Sequence, residues 1–456
     1  MAARTKNMTE GKPLGLIFTF ALPLMAGNVF QQLYTVVDTM VVGQVLGVSA
    51  LAALGASDWT NWMMLGIIQG FTQGFSIRMA QHFGAGKKRE LCQTAAVSVM
   101  LSILLAVVLL VAGELFLPPM LRWMQTPDGV RQNALLYLRI MFAGIPIVMA
   151  YNLSASILRA LGDGKSPLYA MIVACVINIG LDILFVAGLG FGIAGAAAAT
   201  LIAQFCSALY CIWSLYRMRA LQWERADWNR NIPLSFELMR LGLPMAFQNA
   251  VISIGGMIVQ SVVNGFGVLF IAGFTATNKL YGVLEVAATS YGYAMVTYTG
   301  QNLGAGKIDR IRSGLRSALL VAVFTSASIS ACMFLFGRKI LGLFISGTPE
   351  EAAALEIACH YLFIMSSLLL VLYFLHIYRS TLQGMGDTVL PMAAGIVEFF
   401  MRTGAAFILP LFLGEEGIFY AEISAWLGAD VILITSYYIR IHRLEKRIPE
   451  RSGQSG

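Results

Sequence analysis

Residues 29–44 read VFQQLYTVVDTMVVGQ. They sit in an apolar run that begins near Leu14, yet they carry Gln31, Gln32, Tyr34 and the carboxylate of Asp38. If this run crosses a bilayer, an acid at its centre costs about 2.5–3.5 kcal/mol on insertion scales and survives only beside partners or water. Whether it spans therefore decides both the fold and where function is to be sought.

The rest of the chain answers the first question. Of 456 residues, 58% are hydrophobic and 12% are charged, and mean hydropathy is +0.73. A soluble domain carries roughly 25% charged residues, so this chain has about half the usual supply of solvating groups. It reads as an all-α integral membrane protein. The net charge of +7 does not point to nucleic acid, because the basic residues cluster in short connections between apolar runs, as on a cytoplasmic membrane face. The six cysteines form no CxxC pair and have no histidine at ligand spacing, so they read as small buried hydrophobes. The basic start MAARTKNMTEGKP is followed by no small-residue cleavage site, so the first apolar run is expected to be a retained helix.

A membrane helix needs about 20 mostly apolar residues. Twelve segments qualify, near 14–40, 50–77, 92–117, 131–158, 167–188, 193–216, 237–262, 268–298, 314–337, 356–382, 390–412 and 417–439. Placing the N-terminus inside gathers Arg78, Lys87, Lys88, Arg89, Arg159, Lys165, Lys307, Arg310 and the basic tail on one side, leaving Arg122, Arg131, Arg338 and Lys339 outside. The positive-inside rule then puts both termini in the cytoplasm.

The chain also repeats itself at an offset of about 222 residues. FALPLMAGNVFQQLY (20–34) resembles LGLPMAFQNAVISIG (241–255), and AQHFGAGKKRE (80–90) answers GQNLGAGKIDR (300–310). LRALGDGKSP (158–167) answers LQGMGDTVLP (382–391), and TPD (126–128) answers TPE (348–350), each of the last two reading as a helix start with Thr as cap. Six helices per half is an even number, so both halves enter from the same side. Two six-helix bundles related by a pseudo-two-fold axis along the membrane normal are expected. Their bounds are 1–222 and 237–440, with a cytoplasmic linker over 223–236 and a cytoplasmic tail over 441–456. Two bundles flanking a cleft suit alternating access.

The early proline followed by QQLYxxxD, the GAGK loop in each half and the G-D-x-x-x-P loop before spans five and eleven together resemble the multidrug and toxic-compound extrusion (MATE) family, in its bacterial branch. The resemblance covers residues 10–440. It implies a monomeric secondary exporter in the bacterial cytoplasmic (inner) membrane, among lipid. The implied cargo is small amphiphilic or cationic organic compounds, exchanged for H⁺ or Na⁺ with no cofactor. By family position the cation-coupling residues are Asp38, Asn178 and Asp182 of VINIGLDILF, and Thr200 of GAAAATLIAQ. Some relatives carry coupling acids on helices 7 and 10, where this chain has Gln260 and His376, which favours the N-terminal set.

Asn178 and Asp182 are four apart and share a helical face. Two acids, an amide and a hydroxyl brought together can hold a hard monovalent cation or share a proton, or they can simply lock helix packing. Gln31, Tyr34, Asn152 and Glu285 are candidates for a substrate cleft, with interhelical hydrogen bonding as the plain alternative. Glu285 has Lys279 or Arg402 as prospective partners. Pro23 removes a backbone hydrogen bond inside span one and is a candidate hinge. Glu398 and Arg402, one turn apart, read as a structural ion pair. Without a Walker motif, HExxH or a Ser/His/Asp set, neither an ATP-driven pump nor an enzyme is expected. The rival cargo is a lipid-linked oligosaccharide on a related fold, disfavoured by the scarcity of interior basic residues.

Overall fold

The computed structural model describes residues 5–452 except 124–127, 219, 230 and 343–348. Among the described residues the secondary structure is helical throughout. The first half holds α1 (Pro13–Leu46), α2 (Val48–Gly84), α3 (Lys88–Trp123), α4 (Asp128–Ala143), α5 (Ile145–Ala160), α6 (Lys165–Asp182) and α7 (Gly192–Tyr216). The second holds α8 (Ile232–Val263), α9 (Val268–Gly304), α10 (Ile308–Leu341), α11 (Pro349–Ser367), α12 (Leu369–Gly384), α13 (Val389–Ile408), the single turn α14 (Pro410–Leu413) and α15 (Tyr420–Ser452). A 3-10 turn at Arg225–Trp228 sits in the connector.

Two expected spans are broken at matching places. α4 and α5 meet at Gly144 with a 50° bend, and α11 and α12 meet at Leu368 with a 49° bend. Among the described residues, seven stretches are apolar and long enough to cross a membrane alone, and nine if each bent pair is one span. One of the seven, Val389–Lys446, runs through both α13 and α15. α2 and α9 are long enough at 37 residues each but are diluted by polar side chains such as Asp58, Asn61, Asn278 and Glu285. Counting these gives the twelve helices of two six-helix bundles.

The repeated loops are built alike. α2 ends with Lys87 N–H donating to the His82 carbonyl and Gly86 N–H to Phe83, and α9 ends with Lys307 to Asn302 and Gly306 to Leu303. This is the Schellman arrangement, which needs a left-handed residue; Gly86 and Gly306 supply it at φ 70° and 71°. The same pattern closes α5 and α12, at Gly162 and Gly386. There the following acid starts the next helix: Asp163 Oδ1 accepts from the Lys165 and Ser166 amides, and Asp387 Oδ1 from Leu390. A shared turn chemistry therefore underlies GAGK and G-D-x-x-x-P. Of the Thr-Pro-acid helix starts, Thr126, Pro127 and Thr348 lie outside the described residues.

By contact the chain forms two compact units. One comprises Leu22–Ala250 with the residues up to Asn7, the other Met8–Ala21 with Val251 onward. α1 thus begins in the second unit and ends in the first, and α8 does the converse; Pro23 and Pro244 lie within these two helices. In the first unit, α8 runs along a small-residue stripe of α2. A Cβ on Gly70 would lie 2.4 Å from Ala246 Cα, and one on Gly74 2.4 Å from Gly242 Cα. Asn249 Nδ2 donates to the Gly66 carbonyl at 2.8 Å, and Arg78 pairs with Glu237 at 3.0 Å, at the two ends of the stripe. Small residues at i, i+4 let the backbones touch. In the second unit the chain start is bound by the α9–α10 corner. Met8 N–H donates to Gln301 Oε1 at 2.9 Å, and Asn302 Nδ2 donates to the Met8 carbonyl at 3.1 Å. Lys307 Nζ holds the Thr9 carbonyl at 3.0 Å, and Arg310 Nη2 that of Gly11 at 2.9 Å.

Candidate functional site

In the first unit, three helices bring acids, an amide and hydroxyls to one place. α6 carries Asn178 and Asp182 one turn apart, both at 0% exposure. Immediately after Asp182 the backbone widens into a π-helical turn, Ile183–Gly188, a distortion that frequently accompanies functional positions. α7 supplies Thr200, whose hydroxyl receives Asn178 Nδ2 at 3.4 Å. α1 contributes buried Asp38, whose carboxylate is an electrostatic neighbour of Asp182.

The Asn178–Thr200 bond uses one N–H of the amide, and several oxygens of the group remain unpartnered. Asp38 Oδ1, Asn178 Oδ1 and both oxygens of Asp182 are buried without a hydrogen-bond partner among the described residues. A buried unpartnered acceptor is costly, and more so when charged. The charged neighbours of the two acids are acids too: Asp58 faces Asp38, and Asp38 faces Asp182. Oxygen-only donors of this kind fit a proton or a hard monovalent cation.

The surrounding shell adds residues the sequence did not single out. Tyr137 of α4 is buried beside Asp38, Asp58, Asp182 and Tyr34, and Gln204, one turn past Thr200, lies beside Tyr34. Tyr34, one turn before Asp38, is thus part of the cluster. The other cleft candidates make local contacts. Asn152 is buried but its Nδ2 is turned back to the Val148 carbonyl at 2.8 Å. Gln31 is half-buried, and its carbonyl accepts from the Thr35 hydroxyl. Pro23 is half-buried in α1, about 22 Å along the helix from Asp38 at 1.5 Å per residue.

The second unit holds a different polar core. Glu285 pairs with neither Lys279, which is exposed, nor Arg402, but with His376 Nε2 at 3.2 Å. Glu398 and Arg402 form the expected pair at 3.1 Å. Two further charges extend it: Arg379 Nη2 donates to Glu398 Oε2, and Arg402 Nη2 donates to Glu422 Oε2 at 2.7 Å. Among the described residues no cluster of three His, Cys, Asp or Glu has metal-holding geometry.

Comparison with known proteins fits this architecture. A family model described as MatE matches residues 23–184 and 244–408, most of both halves. The chain belongs to the MatE family. It is 29% identical over 435 residues to the probable multidrug resistance protein YoeA of Bacillus subtilis, covering 92% of each chain. It is 28% identical over 421 residues to YpnP, another probable multidrug resistance protein of that organism, covering 90% of this chain and 92% of the other. Among solved structures, an outward-facing multidrug resistance MATE family transporter of the MOP superfamily superposes with a TM-score of 0.89 at 24% identity, covering 97% of this chain and 99% of that one. This MatE protein is accordingly a multi-pass bacterial membrane transporter rather than an enzyme.

Proposed function

We propose that this MatE protein is a secondary active multidrug exporter. It expels small amphiphilic, cationic compounds by alternating access, in exchange for H⁺ or Na⁺ taken up at Asp38, Asn178, Asp182 and Thr200. The observation that carries the reading is the set of unpartnered buried oxygens of Asp38, Asn178 and Asp182, on two helices of the first unit. Their protein neighbours supply repulsion rather than compensation, so an arriving cation or proton has a differential effect on the conformation that brings them together. Only such a difference in affinity between states can drive a change of state. The names of the relatives support the cargo class. The two buried arginines of the second unit, already held by Glu398 and Glu422, leave little for a phosphate-bearing lipid-linked sugar. Both termini are placed in the cytoplasm, with bundles over 1–222 and 237–440 joined by the linker at 223–236.

The test is efflux of a fluorescent organic cation from proteoliposomes holding the purified protein, with a pH gradient and a sodium gradient imposed separately. Efflux driven by either gradient, and lost on its collapse, is expected. Efflux indifferent to both gradients refutes ion coupling.

A further inference from the structure

The buried charges of the second unit do not balance. Glu398 of α13 is shared by Arg379 of α12 and Arg402, and Arg402 also holds Glu422 of α15. Each guanidinium therefore has its carboxylate. Two turns further along α15 comes Asp430, only 6% exposed. Its Oδ1 has no hydrogen-bond partner among the described residues, and its charged neighbours are Arg379 and Glu398. Arg379 attracts Asp430 but gives its Nη2 to Glu398 and leaves its Nε unpartnered, and the network sets two guanidiniums against three carboxylates. A surplus negative charge held away from water is costly unless something positive meets it.

Asp430 also lies in the wall of a groove of about 460 Å³ between α12 and α15. The rest of the wall is almost wholly apolar, with Leu370 and Phe374 on one helix and Leu427, Val431 and Ile434 on the other. The volume falls in the range of small-molecule sites, roughly 300–1,000 Å³. An apolar trough with one uncompensated acid selects by charge: an anionic amphiphile is repelled, a neutral one gains nothing from the acid, and a cation gains both contacts.

We propose that this groove binds an amphiphilic organic cation, its apolar body lying between α12 and α15 and its positive head at Asp430. The site is separate from the oxygen cluster of the first unit. It deepens the exporter reading by naming where cargo is held, yet its test uses no ion gradient, so the two fail independently.

The full-length protein in lipid nanodiscs is irradiated with an alkyl-trimethylammonium carrying a diazirine in its chain, or with the alcohol of the same chain. Modified peptides are then mapped by mass spectrometry. The cation is expected to label peptides spanning 370–374 and 427–435 about tenfold more efficiently than the alcohol, and Asp430→Asn to abolish that preference. Leu427→Trp, at a half-exposed position of the wall, fills the groove and is expected to suppress labelling by both probes; it decides the matter if Asp430→Asn does not fold. Equal labelling of the wild type by both probes overturns the proposal. So does a cation preference that survives Asp430→Asn, or labelling that Leu427→Trp leaves undiminished.

Discussion

Asparagine at position 38 separates coupling from architecture. The side chain is buried, and its charged neighbours are Asp58 and Asp182. Asn keeps the size, removes the charge and imitates a permanently protonated acid. Two consequences have opposite signs. The fold loses no ion pair and is relieved of repulsion, so the variant should melt no lower than the wild type. The coupling ion loses an ionised oxygen, and a contact to a charged group is worth about 1.5–3 kcal/mol, which is about 10- to 150-fold in affinity. Gradient-driven efflux in proteoliposomes should therefore fall at least about tenfold, with normal insertion and yield. Melting followed with and without sodium, and at two pH values, reads the ion site directly; the shift seen in the wild type should shrink in the variant. Wild-type efflux by purified Asp38→Asn protein would refute the coupling assignment. A melting loss as large as that of a broken ion pair would show that Asp38 holds the helices together instead.

Other expectations follow from the same structure. Glu398→Gln leaves Arg379 and Arg402 short of a shared partner, so it should cost about 3–5 kcal/mol, the range for breaking a buried pair, and lower folded yield more than transport per folded molecule. A well-folded but transport-dead variant would move Glu398 into the mechanism. At Gly74, where a Cβ would meet the α8 backbone at 2.4 Å, alanine should already be destabilising, and leucine should exceed the usual overpacking cost of about 1–3 kcal/mol; thermal melting that ranks leucine at or above wild type would contradict the close contact. For topology, single cysteines at Lys87, Lys165 and Lys307 in a cysteine-free background should resist an impermeant thiol reagent outside intact cells, whereas Asp128 and Glu350 positions should react. Labelling of the first three from outside would reverse the orientation.

What the sequence made legible was local or periodic. GAGK and the G-D-x-x-x-P loops could be read because each is a complete turn with its own cap, and Asn178 with Asp182 because four residues make one helical face. The Glu398–Arg402 pair was visible for the same reason. Convergence between helices was not. Tyr137 and Gln204 sit in runs that read as ordinary span, and nothing in the sequence ties Asp58, inside the second span, to Asp38; only packing brings them together. His376 lies 91 residues from Glu285, beyond any spacing rule, whereas Lys279 was near in sequence and points elsewhere. The stripe Gly66, Gly70, Gly74 stands in plain view at i, i+4 spacing, but its partner Gly242 is named by tertiary structure alone. The bend at Gly144 has a local signal in Pro146, at the start of α5, whereas the matching bend at Leu368 has no proline beside it.

The corner that binds Met8, Thr9 and Gly11 has a bearing on how the chain is made. The amide of Met8 waits for Gln301, 293 residues later, and the Gly11 carbonyl waits for Arg310, 299 residues later. At about 5–20 residues per second of synthesis, residues 8–11 remain undocked for about 15–60 s after they are made, while most of the helices that follow are still being inserted. A nascent chain stalled before residue 301 should expose this segment to protease at the membrane surface, and a chain stalled after the α9–α10 corner has emerged should protect it. Residues 8–11 are thus put in place long after they are made, and their protection is a clock for completion of the α9–α10 corner.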